Sequence, residues 1–465
     1  MDGYCINSTW RDKLRKKSLV FIFLALTLSI TTSGCIDLFH VPGVAISPDG
    51  SRIYFLEGDT ESGSSGKLVS APLGGSVDQT LFEGTEDNAA SAYAISPATG
   101  EVAFVRSGAE SGGTLIEIFN PADGSTRTLI GPEAFGLVGI GTMMKYSPDG
   151  SRLALTLLAL PPDVTPESLN AEESELTDEQ IAAITYRAYV VDVVGASLTE
   201  IVPGVPTAFN TLSWNASGTQ IALNGWTDTN GDGKIIIFPT TDPEEGVVGD
   251  STNVFVYDVA GNSLSQVSSG TFDYAPTFVG DNLYWVGADM VTEQIGIMST
   301  EGIPYSTTNT ITGVAPSPDG SKVVWAETQD SDGSEEQLPG LLYIADSNFA
   351  NATLLAELPM NALPDVPVWM PDSQSILVTS TNVISQMITG FTASFSFSTD
   401  TESTPEASVE GDVVPPSVVQ VNIATGEVTP VYTGSIANSS VYAGLIGLVA
   451  SGALDEMFGD MGTSE

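Results

Sequence analysis

Histidine is nearly missing from this chain of 465 residues, with His40 its only copy. That argues against imidazole-based triads and against metal sites that need several histidines. Cysteine is scarce too, present only as Cys5 and Cys35. Positive charge is thin: 14 Lys and Arg face 58 Asp and Glu, for a net charge of −44. Phosphate affinity comes from Lys and Arg displacing counterions, so general nucleic-acid binding is excluded. Only 15% of residues are charged, while Gly reaches 47 and Pro 27. Such a composition suits many turns between short apolar runs better than long solvated helices. Long hydrophobic runs are lacking as well. Ser18 to Ile30 is thirteen residues, roughly 20 Å as a helix against a hydrocarbon core of ~30 Å. No Gly-x-Ser-x-Gly nucleophile elbow occurs, and no hydrolase-sized domain follows the repeats described below.

What is present begins with an address. Five basic residues stand in Arg11-Asp12-Lys13-Leu14-Arg15-Lys16-Lys17, ahead of the apolar run and of Thr31-Thr32-Ser33-Gly34-Cys35. Basic start, short apolar stretch and small residues before a break form the export pattern. Ser33-Gly34-Cys35 resembles a bacterial lipobox, although Thr32 stands where Leu is commonest. The resemblance implies a signal peptide over residues 1–34, lipidation of Cys35 and anchoring to a membrane of the cell envelope or cell surface. An ordinary signal peptide with a cysteine nearby is the alternative. Removing 1–34 leaves 9 basic and 56 acidic residues, a net of −47. So much like-sign charge suits either a solvated surface in a saline habitat or binding of divalent cations or a cationic partner.

A repeat runs through the remainder. Ser47-Pro48-Asp49-Gly50-Ser51-Arg52-Ile53 returns as Ser147-Pro148-Asp149-Gly150-Ser151-Arg152-Leu153 and as Ser317-Pro318-Asp319-Gly320-Ser321-Lys322-Val323. Degenerate copies start at Ser96, Asn215 and Met370, and a shortened one spans Phe278 to Leu283. The physics is that of a hairpin corner. Pro presets position i+1 of a type I turn, Asp caps nearby amides, and Gly takes the left-handed conformation that reverses the chain. Apolar strand-like residues flank every corner, as in Val44-Ala45-Ile46 before and Ile53-Tyr54-Phe55-Leu56 after. Two more β-rich runs follow in each unit, such as Leu115 to Phe119 and Arg127 to Ile130. Four strands recurring at roughly 40–50 residues predict an all-β fold, a β-propeller. The expected blade number is about seven, with six or eight also compatible because the fifth unit is weak.

These corners resemble the propeller repeats of the TolB family, whose blades open with Ser-Pro-Asp-Gly and a basic residue. The resemblance covers about residues 41–434, and the expected domains are a propeller over 35–434 and a tail over 435–465 that is helical or packed on the ring. It does not extend to TolB itself, which carries an α/β domain before its propeller; about a dozen residues separate Cys35 from the first corner here. Pal-type partnership is therefore not carried over. The resemblance implies a binding scaffold without chemistry of its own, contacting an envelope or extracellular protein or a glycan.

Three segments stand outside the repeat. Residues 161–184 form an acidic insert in which Thr177 to Ile184 reads as a capped helical turn, and 392–417 is rich in Ser, Thr, Glu and Pro. Asp228-Thr229-Asn230-Gly231-Asp232-Gly233-Lys234 resembles the start of an EF-hand-like or dockerin-like calcium loop. Oxygens of Asp228, Asn230 and Asp232 at positions 1, 3 and 5, with the Lys234 carbonyl at 7, suit a hard cation such as Ca²⁺. Position 12 is Pro239 rather than Glu, so Asp242, Glu244 or Glu245 would have to complete the set, and a plain hairpin tip is the competing reading. No catalytic residue or other cofactor is expected. Two other classes stay open: a carboxylate-dependent carbohydrate-active enzyme with an Asp/Glu pair across the channel, and an acidic structural surface protein. Oligomeric state is not legible.

Overall fold

The computed structural model describes residues 43–57, 66–85, 88–107, 112–136, 138–161, 185–202, 207–227, 240–242, 246–248, 251–270, 272–289, 294–328, 340–358, 366–379, 418–434 and 436–437. Among them, seven four-stranded antiparallel meanders follow one another, the fourth and fifth joined into one sheet by a parallel pairing of Thr252 with Phe272. Blade 1 consists of Ala45–Ile46, Arg52–Glu57, Leu68–Pro72 and Gln79–Phe82, and blade 2 of Ala89–Ile95, Val102–Ser107, Leu115–Asn120 and Ser125–Ile130. Blade 3 holds Val138–Tyr146, Arg152–Leu160, Thr185–Asp192 and Ser197–Ile201. Blade 4 holds Thr207–Trp214, Gln220–Thr227, Ser251–Asp258 and Ser263–Gln266. Phe272–Val279, Asn282–Asp289, Gln294–Ser299 and Gly302–Thr307 make blade 5. Blade 6 is Thr310–Pro316, Lys322–Thr328, Gly340–Asp346 and Thr353–Leu358, and blade 7 is Val368–Trp369, Ser375–Thr379, Val418–Asn422 and Val428–Tyr432. Outside this pattern lie a hairpin, Thr240–Asp242 with Gly246–Val248, and one short helix, Pro132–Phe135. The fold is a β-propeller.

The corners behave as their residue types dictate. Ser47 Oγ donates to Asp49 Oδ1 at 2.6 Å, the Ser51 amide donates to the same oxygen at 3.1 Å, and the Arg52 amide donates to Ser47 Oγ at 3.0 Å. Distances repeat at 2.6, 3.1 and 3.0 Å around Asp149, and at 2.6, 2.9 and 2.9 Å around Asp319. Gly50, Gly150 and Gly320 take the φ values of 72°, 73° and 70° that an L-residue resists. In blade 4, Asn215 Oδ1 substitutes for the serine hydroxyl, accepting from the amides of Thr219 and Gln220 at 2.9 Å each. These hydrogen bonds hold the Asp49 and Asp149 carboxyls down at about 2, with the serine hydroxyl the largest cause.

Blade-on-blade packing explains why the second strand of each unit is apolar almost throughout. Side chains alternate across a strand, and both faces of a blade are covered. Ile53 and Phe55 pack with Leu377 and Val418 of blade 7, whereas Tyr54 and Leu56 pack with Phe104 of blade 2. Leu153 and Leu155 turn to blade 2, and Ala154 turns to blade 4. Val323 and Trp325 turn to blade 5, and Val324 and Ala326 to blade 7. Each such aliphatic or aromatic residue contributes roughly 1.5–3 kcal/mol on full burial. Fourth strands are different: Ser125–Ile130 exposes its first four residues.

Closure of the ring is visible at the corners. A Cβ placed on Gly100 would lie 3.8 Å from Pro48 Cδ, and one on Gly218 would lie 3.6 Å from Pro148 Cδ. The same step recurs between first and last blades, where a Cβ on Gly50 would lie 3.4 Å from Pro371 Cδ. Ile436–Ala437, which the sequence assigned to the tail, instead forms a short strand paired antiparallel with Leu56 and Glu57 of blade 1. It extends the inner edge begun by Ala45–Ile46, so the two chain ends of the ring meet on one blade.

Candidate functional site

A meander of four strands puts the first and third turns at one end of the blade, and the second turn and the link to the next blade at the other. In every unit the corner is the first turn, so all corners share one face. All second-to-third connections leave from the opposite face. Those connections include each long insertion: 161–184 in blade 3, 228–250 in blade 4 and 380–417 in blade 7. One face is therefore a ring of tight turns, and the long connections depart from the other.

The expected calcium ligands Asp228, Asn230, Asp232 and Lys234 lie outside the described residues, as do Cys35, His40 and residues 177–184, where a helical turn was expected. Their strand roots are described. Thr227 pairs with Ser251 and Trp226 with Thr252 where the blade 4 connection departs. Beneath this mouth lies a buried polar patch between blades 4 and 5. Asn224 Nδ2 donates to the Asp273 carbonyl at 2.7 Å, Asn253 Nδ2 donates to the Gly270 carbonyl at 3.1 Å, and the Gly270 amide donates to Asp273 Oδ2 at 2.8 Å. Burial raises the Asp273 carboxyl above the ordinary Asp value. Several buried polar atoms here have no hydrogen-bond partner among the described residues: Trp226 Nε1, Thr227 Oγ1, Thr252 Oγ1 and Asn224 Oδ1.

Glu327 is the other buried carboxylate among the described residues. Tyr305 Oη and Trp325 Nε1 donate to its Oε1 at 2.6 and 2.9 Å, while Asn309 Nδ2 and Thr307 Oγ1 donate to its Oε2 at 2.8 and 3.2 Å. Both oxygens are engaged by donors from blade 5, blade 6 and the link between them, so the carboxylate ties the two blades together. The Tyr305 hydroxyl is held above its ordinary pKa by burial and by the Glu327 carboxylate. No cluster of three His, Cys, Asp or Glu side chains fit to hold a metal occurs among the described residues.

Sequence reasoning missed Asn224, Asp273 and Glu327 because their partners come from different strands and blades. It missed Lys145 as well. Strand register sets one residue per blade on a common rung, two places before the corner in most units: Ala45, Ala94, Lys145, Ser213, Thr277, Ala315 and Val368, paired respectively with Tyr54, Ala103, Ala154, Ala222, Tyr284, Val324 and Leu377. Equivalent bonds confirm the alignment, since Trp214 Nε1 donates to the Lys145 carbonyl at 3.1 Å and Trp369 Nε1 to the Ala315 carbonyl at 2.9 Å. The repeated corners were the signal that could have exposed a lysine among small residues.

No protein-family model matches the sequence, and no curated protein matches it. Solved structures do match, at low identity. TolB from Acinetobacter baumannii is 13% identical over 84% of this chain and 66% of its own, with a TM-score of 0.41. An oligogalacturonate lyase in complex with manganese is 15% identical over 72% of this chain and 84% of its own, with a TM-score of 0.49. A prolyl endopeptidase is 10% identical over 92% of this chain, with a TM-score of 0.51. The chain spans 66% of the length of that TolB and 55% of the prolyl endopeptidase. At these identities the likeness bears on fold alone. Of these, the prolyl endopeptidase, at a TM-score of 0.51, is the match that carries weight for the fold.

Proposed function

We propose that this protein is an exported, lipid-anchored propeller that binds an envelope or extracellular protein or a glycan on the face opposite the corners, without chemistry of its own. The observation that carries the reading is the division of the two faces. Every long connection leaves from one rim, while the other rim is occupied by hydrogen-bonded corners packed on one another. A rigid scaffold presenting variable connections is the usual arrangement of a recognition surface. The export pattern ending at Cys35 supports tethering to a membrane, and Asp228, Asn230, Asp232 and the Lys234 carbonyl would let Ca²⁺ order the blade 4 connection.

Affinity capture from envelope extract tests it, using the full chain with and without Ca²⁺. Replacing 228–250 by a short Gly-Ser turn is expected to abolish capture of a discrete partner, while Ser51→Ala and Ser321→Ala on the corner face leave it intact. Loss through the corner variants alone would sink the assignment of the face. Cys35→Ser is expected to release the protein from the membrane fraction. At fixed ionic strength, calorimetry is expected to show saturable Ca²⁺ heat that Asp228→Ala removes; absence of that heat would retire the cation while leaving the binding face standing.

A further inference from the structure

The strands nearest the axis carry an unexplained cation. Every other described basic residue has an acidic neighbour. Arg52 pairs with Asp78, Lys67 with Glu57 and Glu83, Arg106 with Glu117, Arg127 with Glu101, Arg187 with Glu200 and Lys322 with Asp346. Arg152 donates to the Gly218 carbonyl at 3.5 Å and helps lower the Asp149 carboxyl. Lys145 has neither an ion pair nor a side-chain hydrogen bond among the described residues. Desolvating an ammonium without a counter-charge is costly.

Its placement says where a counter-charge would enter. Lys145 lies on the innermost strand of blade 3 and keeps partial solvent contact. Water reaches an innermost strand through the axial channel that a propeller encloses. On the shared rung the other residues are Ala45, Ala94, Ser213, Thr277, Ala315 and Val368, so nothing else on it is charged or long. Lys145 has the same strand parity as Met143, which packs against Leu212 and Trp214 of blade 4. Blades 4 and 5 supply the only hydroxyls of the rung. Ser213 Oγ accepts from the Phe278 amide at 3.3 Å and so faces blade 5, which leaves Lys145 without a hydroxyl partner on the rung. Protein surrounds the ammonium closely enough that burial alone pulls its pKa down to about 8.

We propose that Lys145 anchors an anion site at the corner end of the axial channel and takes a single carboxylate. One ammonium matches one negative charge. A phosphate or other polyanion would call for several cations or an Arg fork, and the net charge of the chain would repel it. The carboxylate belongs either to a small free monocarboxylic acid or to the carboxyl terminus of a peptide. This site is separate from the partner-binding face proposed above, so either can fail without the other.

The test uses the full chain, reductively methylated with ¹³C so that each lysine gives a resolved dimethylamine resonance. Four probes are titrated at constant ionic strength: propionate, tetra-alanine with a free carboxyl terminus, the same peptide amidated, and chloride. Saturable movement of the Lys145 resonance with propionate and free tetra-alanine, but not with the amide or chloride, is expected. The bound carboxylate should also raise the Lys145 titration midpoint by about one pH unit, a tenfold change in proton affinity. At least tenfold tighter binding of the free peptide than of propionate would assign the site to chain ends; equal affinity would assign it to small acids. Lys145→Met is expected to abolish the response of the protein to both probes by calorimetry, with Arg187→Met as a control that keeps it. An unmoved Lys145 resonance in the unsubstituted protein, or identical movement with chloride, would overturn the proposal whether or not the methionine variant folds.

Discussion

Replacing Glu327 with alanine tests whether the joint between blades 5 and 6 is held as described. The carboxylate accepts four hydrogen bonds, and Trp325, one of the donors, is fully buried. Without Glu327, Trp325 Nε1 and Tyr305 Oη lose their acceptor inside the protein. Asn309 and Thr307 are partly exposed and can turn to water. Losing two hydrogen bonds to a charged acceptor, one from fully buried Trp325 and one from partly buried Tyr305, gives an expected loss of about 3–4 kcal/mol. Glu327→Gln keeps the shape but points an amide NH₂ at donors, for a loss of about 2 kcal/mol. Tyr305→Phe removes one donor together with its need for a partner and should cost about 1 kcal/mol. The Glu327→Ala/Tyr305→Phe double variant should therefore fall short of additivity by about 1–2 kcal/mol. Urea unfolding followed by tryptophan fluorescence reads all four, since Trp325 itself reports on the site. A Glu327→Ala cost below about 1 kcal/mol, or strict additivity with Tyr305→Phe, would refute the reasoning.

Two further outcomes follow from the corners and turns. Asp49 and Asp149 carboxyls sit at about 2 against an ordinary 3.8. A lowered folded-state value means their contribution to stability is complete above about pH 4 and is lost as pH falls through about 2. Exposure to solvent keeps the effect small. Carboxyl ¹³C shifts should show both titrating near 2, and Ser147→Ala should move Asp149 back toward 3.8; an Asp149 midpoint already near 3.8 would contradict the corner geometry. Gly426 holds φ at 70° with the Leu355 carbonyl oxygen where a Cβ would go. Gly426→Ala is thus expected to cost about 2–4 kcal/mol through left-handed strain and the clash together, and a thermal melt unchanged from the parent would count against the blade 6–blade 7 contact.

The corners were legible because everything that makes them lies within about five residues. Ser, Asp and Gly act on amides of their own turn, so the repeat reads straight from the chain. The fifth unit was the weak one, and its corner explains why. It lacks the Ser-Pro pair and keeps Gly280 at a φ of 65°, while Asp281 serves the neighbouring corner by accepting from Asn215 Nδ2 at 3.0 Å. Alternation in the second strands was legible as an apolar run, although which face met which neighbour was not. Glu327 reads as one more acidic residue until blade 5 supplies Tyr305 and Thr307, and the link to blade 6 supplies Asn309. Lys145 becomes conspicuous only when seven strands are laid rung on rung. Ile436–Ala437 was too short to stand out from the residues after Ser435, and it is a strand because the inner edge of blade 1 lacks a partner there.

The most direct test of the account is an electron cryomicroscopy projection of the purified chain down the ring axis. Seven lobes around a central opening, with density from the long connections rising on one side only, is the predicted result. Six or eight lobes, an open arc between the first and last units, or two separate globules would contradict it.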